Sequence, residues 1–128
     1  MGRSYHTALR SGTNRLEIET GRWYGIEKHL RICKYCDLNE VESEQHFVMK
    51  CTRYNSFREE FYFSVASASG ASGGKWDFSH RSMEEAFVLI LQGTGDEFEV
   101  KIFRLFHSFL AKSFQLRNSL VESVSGRK

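Results

Sequence analysis

Residues 31–54, which read RICKYCDLNEVESEQHFVMKCTRY, contain all three cysteines of the chain and one of its five histidines. These four residues follow the order Cys33-x2-Cys36-x9-His46-x4-Cys51. Two cysteines separated by two residues fit a tight turn whose backbone N–H groups donate to the thiolates, and a second pair completes a tetrahedron around Zn²⁺. The pattern therefore predicts a zinc ion bound by these four side chains.

A zinc ion with four protein ligands has no open position for water, so the predicted site is structural and not catalytic. Two alternatives stay open: Cys33 and Cys36 as a redox pair, or three separate buried thiols. An odd number of cysteines argues against a disulfide framework. His29 is the rival ligand, four residues before Cys33, but its use would leave His46 without a role.

The spacing of the second ligand pair poses a geometric problem. His46 and Cys51 are five residues apart, which on an ideal α-helix is about 140° away from sharing a face. The sequence therefore predicts either that His46 lies at the start of a helix or that the turn up to Cys51 is distorted. The imidazole nitrogen that does not face the metal needs an acceptor, and Glu42 and Glu44 are the predicted candidates.

Composition predicts a folded, mainly helical chain. The 128 residues (14.9 kDa) are 41% hydrophobic and 27% charged, and they include eleven Phe and no Pro, which is typical of a helical core packed with aromatic rings. The apolar clusters are too short to span a bilayer, and the first residues lack the apolar core of a secretory signal. We therefore expect an intracellular protein, in the nucleus or the cytoplasm, with no membrane partner.

The chain is predicted to form a single domain over residues 1–128. Its fold class is mainly α, a small helical domain stapled by a Cys3His zinc turn and completed by a long C-terminal helix. Residues 1–58 are the zinc-binding half and residues 76–122 the helical half. Residues 64–75 (SVASASGASGGK) are rich in Ser, Ala and Gly, so a flexible loop is predicted between the halves.

Apolar residues at intervals of three and four predict the longer helices. One helix is predicted from Gln45 to about Val65. Ser82 and Glu85 form a capping box that opens another. The longest is predicted from about Asp96 to Val121, with an aromatic stripe that packs in the core. Its opposite face carries Lys101, Arg104, Lys112 and Arg117.

Charge is distributed unevenly along the chain, although the formal net charge is only +2. Residues 1–36 carry +4 and residues 101–128 carry +5, whereas residues 37–60 carry −3 and residues 61–100 carry −4. If the two basic ends meet in the fold, they form a face that attracts phosphate.

Basic and aromatic residues alternate around the predicted zinc turn. Lys and Arg neutralise phosphates, and exposed rings stack on unpaired bases. The predicted nucleic-acid contacts are Arg22, Tyr24, Lys28, Arg31, Lys34 and Tyr35. Trp23, in contrast, is predicted to pack in the core. Arg53 and Arg58 either extend this surface or pair with Glu59 and Glu60. The other histidines (His6, His29, His80 and His107) are scattered and need no special role.

The zinc pattern and the run before it resemble one known family. LRSGTNRLEIETGRW (residues 9–23) followed by residues 31–54 resembles the C-terminal zinc-binding segment of non-LTR retrotransposon reverse transcriptases, which has Cys-Cys-His-Cys spacing. The resemblance covers about residues 9–58. Its matching points are Arg10, Gly12, Thr13, Leu16, Ile18, Glu19, Arg31, Cys33, Cys36, Glu42, Glu44, His46 and Cys51.

In that family the segment follows the polymerase thumb, so the resemblance implies a zinc-stabilised helical module that helps the enzyme hold RNA or DNA. The expected partners are RNA or DNA and the rest of a reverse transcriptase. Catalysis is not expected, because the chain has only three Asp residues (positions 37, 77 and 96) and no aromatic-x-Asp-Asp sequence for a two-metal polymerase site. The alternative is a structural or protein-interaction module that does not bind nucleic acid.

Overall fold

The structure, a computed structural model, describes residues 2–69, 76–78 and 81–125, with side chains as far as Val121. As the sequence predicts, the described chain is mainly helical. The α-helices are α1 (Gly2–Ser11), α2 (Glu17–Trp23), α3 (Asn55–Ser69), α4 (Met83–Gln92) and α5 (Glu99–Ser125). Three shorter helical turns span Lys28–Leu30, His46–Lys50 and Thr52–Tyr54.

The long helix α5 is the element around which the core assembles, because both α1 and α3 pack along it. Its apolar stripe is buried, which confirms the prediction of an aromatic core. The Phe106 and Phe109 rings are stacked on each other, and Phe61 of α3 lies against both. Phe114 stacks on Tyr5 of α1, with 4.3 Å between ring centroids.

The predicted helix from Gln45 to Val65 is wrong in one respect, because the structure divides it. The turn His46–Lys50 ends at Cys51, whose backbone is extended (ψ 122°), and α3 begins only at Asn55. The predicted loop over residues 64–75 is wrong in its first part, because residues 64–69 continue α3; residues 70–75 lie outside the described residues. The capping box of Ser82 and Glu85 at the start of α4 is confirmed.

The two basic ends of the chain meet where α1 crosses α5. Gly2 lies so close to α5 that a Cβ atom there would stand 2.0 Å from the carbonyl oxygen of His107. Arg3 and Arg10 on α1 are exposed, as are Lys101 and Arg104 on α5. The packing therefore brings the positive charges of both ends to neighbouring helices. Among the described residues, no helix is both long enough and apolar enough to cross a bilayer.

Two histidines without a predicted role join these helices. His6 donates from Nε2 to the Leu91 carbonyl at 2.7 Å, so its Nδ1 accepts from Nε2 of His107 at 2.8 Å. The His6 ring also packs edge-on against Phe103 and Phe106. The pair is therefore built for neutral imidazoles, a feature that positions 101 residues apart in sequence do not reveal. His80 lies outside the described residues.

Lowering the pH is expected to weaken the packing of α1 on α5. Burial lowers the pKa of His6, and Arg10 adds to the effect, although the bond to Leu91 opposes it. Burial also lowers the pKa of His107, helped by the charges of His6 and Arg3. The unfolded histidines titrate near about pH 6.5, so full stability is present above that pH. Below it the unfolded chain binds more protons, and stability falls by at most about 1.4 kcal/mol per pH unit for each histidine.

Urea unfolding of the wild type and of His107→Gln, each at about pH 7.5 and about pH 5.5, measures this effect. The glutamine amide can still donate to His6 but does not titrate. Both chains keep the cysteines and His46, so comparing them removes the pH dependence of the metal centre. We expect a smaller loss of stability in the variant; equal losses would contradict the assignment.

Candidate metal centre

The structure brings the four predicted ligands together. The Sγ atoms of Cys33, Cys36 and Cys51 and a ring nitrogen of His46 all lie within 4.8 Å of one another. Cys33 Sγ is 3.9 Å from Cys51 Sγ, and Cys36 Sγ is 3.4 Å from His46 Nε2. In a zinc tetrahedron, bonds of about 2.3 Å to sulfur and about 2.0 Å to nitrogen place neighbouring ligand atoms roughly 3.5–3.8 Å apart. The cluster is therefore able to hold one metal ion, and its spacing suits zinc.

A short antiparallel ribbon positions the Cys33–Cys36 turn. Ile32 pairs with Val41, and the Cys33 amide donates to the carbonyl of Glu40 at 2.9 Å. The turn itself directs the Tyr35 amide at the Cys33 sulfur (3.5 Å). This is the backbone donation to thiolate that the Cys-x-x-Cys spacing predicts. The ribbon therefore positions the turn that carries the first ligand pair, Cys33 and Cys36.

The second ligand pair depends on a distorted helical turn. Residues His46–Lys50 form a π-type turn, in which the amide of Cys51 donates to the carbonyl of His46 at 2.7 Å. Because a π turn links residues i and i+5, it brings two ligands five apart to the same side. The predicted distortion between His46 and Cys51 is confirmed, and its cause is the ligand spacing.

The acceptor for the outer imidazole nitrogen is Glu40, not Glu42 or Glu44 as the sequence predicts. His46 donates from Nδ1 to Glu40 Oε1 at 3.1 Å, which directs Nε2 at the cysteines. Lys50 holds the other Glu40 oxygen at 2.8 Å. These two bonds, that of Lys50 foremost, lower the pKa of Glu40. Glu44 instead accepts from Asn14 at 3.0 Å.

Proton chemistry in the cluster favours a cation. The hydrogen bond to Cys51, together with burial, raises the pKa of Cys33 to about 12, and burial raises the pKa of Cys36. The bond from Cys33 lowers the pKa of Cys51. Burial alone would lower the pKa of His46, but bonds to Cys33 and Glu40 outweigh it and raise the pKa. A bound positive ion would take the place of the protons that Cys33 and Cys36 hold, because it binds cysteines as thiolates.

Arg58 holds the segment that carries His46 and Cys51 by hydrogen bonds to its backbone. It is buried on α3, and its guanidinium donates to the carbonyls of Val48 (2.8 Å), Cys51 (2.9 Å) and Phe47 (3.2 Å). These carbonyls lie at and just before the end of the π turn, and the Cys51 carbonyl also accepts from the Tyr54 amide at 3.3 Å. The prediction that Arg58 joins a surface or pairs with a neighbouring glutamate is wrong. Its position on the buried stripe with Tyr54, Phe61 and Val65 was the available signal.

Glu42 forms a buried ion pair with Arg117 of α5. The two guanidinium bonds measure 2.6 and 2.8 Å, and both side chains are buried. Glu42 also accepts from the Glu17 amide at the start of α2 (2.8 Å), and the Arg117 guanidinium lies 5.2 Å from the centre of the Tyr35 ring. The placement of Arg117 on the exposed face of α5 is therefore wrong. The pair joins α2, the metal turn and α5.

The rival ligand His29 lies outside the cluster, and no cysteine is in a disulfide bond. His29 is exposed and lies 3.5 Å from Glu27, outside the cluster. The three cysteines are free thiols, and 3.9 Å between the sulfurs of Cys33 and Cys51 far exceeds a disulfide bond of about 2.05 Å. The structure thus groups three cysteines with His46, as the zinc pattern predicts.

The six predicted nucleic-acid contacts divide into two sets. Arg22, Tyr24, Lys28 and Lys34 are exposed. Arg31 instead donates to the carbonyls of Ile18 (2.8 Å) and Ile26 (2.9 Å), and Tyr35 packs over Arg117. The prediction of contact stays with the exposed four, and the other two are used inside the fold.

The prediction that Trp23 packs in the core is wrong, because 59% of its surface is exposed. Trp23 is the last residue of α2, and the segment that follows returns to the helix at Gly21 and Ile18 without covering the Trp23 ring. Tyr24 follows with 79% exposed. Two neighbouring aromatic rings of the zinc-binding half therefore face solvent.

Comparison of the chain with protein-family models, curated proteins and solved structures found no match. The features that bear on its function are those of its own residues. Those residues comprise a closed four-ligand cluster, an adjoining exposed run of basic and aromatic side chains, and basic chain ends that meet.

Proposed function

We propose that the chain is a non-catalytic zinc-binding module of reverse-transcriptase origin that binds RNA or DNA. The observation that carries the proposal is the run from Arg22 to Leu30, in which every residue is exposed, directly before the Cys33–Cys36 turn. The order of motifs that resembles retrotransposon reverse transcriptases supports the origin. The expected partners are a nucleic acid and the rest of such an enzyme.

Zinc is the proposed metal because of its ligands. Three thiolates and an imidazole suit a soft to borderline cation in tetrahedral geometry, and magnesium and calcium prefer oxygen. The four ligands leave no position for a reacting water, so zinc has a structural role here. It ties the ribbon around Ile32 to the segment that leads into α3. In doing so it would fix the run that precedes it.

Charge along this region suits a phosphate backbone. Residues 22–34 include four Lys or Arg and one Glu, a formal +3. Arg22 pairs with Glu19 and Lys34 with Glu17, each at 2.9 Å, but the Arg22 and Lys34 side chains are mostly exposed. The Glu19 and Glu17 side chains expose only 7% and 15% of their surface, so Arg22 and Lys34 would contact a phosphate in addition to these carboxylates and not in exchange for them. Lys28 has no ion-pair partner among the described residues.

Reversing these charges is expected to weaken nucleic-acid binding by the zinc-loaded chain. We expect the triple variant Arg22→Glu, Lys28→Glu and Lys34→Glu to lower the affinity at least about 100-fold at low salt, because each lost phosphate contact forfeits counterion release. The slope of log affinity against log salt should also become shallower by about 0.7–0.9 for each contact. Fluorescence anisotropy with labelled RNA and DNA across a salt series measures both.

A matched variant separates a specific site from general attraction. The triple variant Lys101→Glu, Arg104→Glu and Lys112→Glu on α5 changes the net charge equally but leaves the run from Arg22 to Lys34 intact. We expect a distinctly smaller loss of affinity in this variant. Binding that is absent at low salt, or independent of salt, would refute the proposed function. Equal losses of affinity in both variants would show that the binding site is not confined to the run from Arg22 to Lys34.

A second function, a structural or protein-interaction module, is favoured by the apolar side chains in the same run. Trp23, Ile26 and Leu30 are all exposed, and apolar exposure of this kind is typical of protein contacts. The charge-reversal variant discriminates the two functions. Unchanged nucleic-acid affinity would support the second.

A further inference from the structure

The surface in question is the segment from Arg22 to Leu30, here called the aromatic loop. It begins at the end of α2 and ends with the short turn Lys28–Leu30. Trp23 and Tyr24 expose 59% and 79% of their surface. Burying rings of this size against a ligand would release considerable free energy, and adjoining exposed apolar side chains are typical of a binding surface.

The aromatic loop is held in one shape although its side chains face solvent. Arg31 ties the middle of the loop to α2, because it donates from Nε to the Ile26 carbonyl and from Nη1 to the Ile18 carbonyl. Gly21 makes room for this arginine, since a Cβ atom there would stand 2.5 Å from Arg31 Cγ. Gly25 has a φ of +70°, a left-handed conformation that glycine adopts without strain. The rings are therefore presented by a fixed backbone, which lowers the entropic cost of binding.

The charges around the rings decide between the candidate occupants. Arg22 precedes Trp23 directly, Lys28 lies within the loop, and Glu27 is the only acidic residue in it. An apolar protein surface would offer no partner to Lys28 and none beyond Glu19 to Arg22, whereas a nucleic acid supplies phosphates for both cations and flat bases for the rings. Alternation of stacking rings and cations is how sequence-tolerant single-strand binders work.

We propose that Trp23 and Tyr24 form a stacking platform for unpaired bases, so that the ligand of this chain is single-stranded nucleic acid. The inference rests on the proposed function and adds its substrate class. Bases within a duplex are already stacked on one another, so their faces are not available to the rings. Single strands of RNA or DNA expose them.

Tryptophan fluorescence reports directly on the platform. The chain has two tryptophans, and Trp76 is buried and donates to Asp96. Trp76→Phe therefore leaves Trp23 as the sole emitter. In the zinc-loaded chain, we expect a single-stranded oligonucleotide of about 15 nucleotides to quench this emission strongly and the matching duplex to quench it little.

Ring removal tests the energetics. Trp23→Ala and Tyr24→Ala are each expected to lower single-strand affinity about 10-fold, with duplex affinity and the salt slope unchanged, because no phosphate contact is lost. Phe63→Ala is the matched control: it removes a ring that is 76% exposed on α3, outside the aromatic loop. It should leave the affinity unchanged.

The outcomes separate the two proposals. A wild-type chain that binds no nucleic acid at low salt refutes the proposed function. Binding that charge reversal weakens but ring removal does not, or equal quenching by duplex and single strand, overturns the stacking platform alone. Sedimentation of the chain without nucleic acid tests whether a second copy of the chain binds the rings instead. Self-association that Trp23→Ala abolishes would show that a second copy covers the rings, and would also overturn the platform.

Discussion

Replacing one metal ligand is expected to unfold the chain. His46→Gln or Cys36→Ser should abolish stoichiometric zinc, which we expect at one equivalent per chain in the wild type. Structural zinc contributes on the order of 10–16 kcal/mol in small domains, whereas a whole domain is stable by only about 5–15 kcal/mol. Without the ion, the ribbon and the π turn lose the bonds that join them through the four ligands. Elemental analysis of purified protein and thermal melting by circular dichroism measure the two effects.

The rival histidine provides the matched control. His29→Gln makes the same chemical change in the same half of the chain, but His29 is exposed and outside the cluster. It should keep the zinc content and the melting temperature. A chain that is free of metal yet melts like the wild type would contradict the metal centre. Zinc loss in His29→Gln, with retention in His46→Gln, would reassign the fourth ligand.

Breaking the buried ion pair is expected to have the second-largest effect. Arg117→Met leaves the Glu42 carboxylate buried without its cation, and removing one partner of such a pair typically costs about 3–5 kcal/mol. The loss should appear as a lower midpoint of urea unfolding. Zinc should still bind to the fraction that remains folded, because neither residue is a ligand.

Two comparisons test the reason for that loss. Lys112 lies on the same helix as Arg117 and forms an exposed ion pair with Glu60 of α3. Lys112→Met breaks this pair, and exposed pairs contribute about 0–1 kcal/mol to stability. The double variant Glu42→Gln with Arg117→Met removes both charges, so it should be more stable than Arg117→Met alone. A loss no larger than that of Lys112→Met would show that burial does not govern this pair.

This ion pair also shows that the zinc half depends on the C-terminal helix. The motifs that resemble retrotransposon reverse transcriptases end near residue 58, yet Glu42 pairs with Arg117 of α5. The Phe47 ring lies 4.4 Å from Phe114, centre to centre. The segment that carries the ligands is therefore packed on α5 as well as tied by the cluster.

Residue type and spacing were enough to predict which residues form the cluster and where the main helices lie. Ligand type and spacing are local properties, so Cys33, Cys36, His46 and Cys51 were predictable, and so was the distortion between the last two. The apolar period of α5 was local too, and its stripe is buried as predicted.

The contacts and burial of the charged and aromatic residues, in contrast, depend on how distant segments pack together. Glu40, Glu42 and Glu44 look alike in sequence, but the ribbon directs Glu40 to His46 and Glu42 to α5. Arg117 is buried because a carboxylate from another element pairs with it, and Trp23 is exposed because it ends α2 and the described segments that pack on that helix do so elsewhere. Burial and pairing depend on what other segments bring to a residue, and single-sequence patterns do not contain that information.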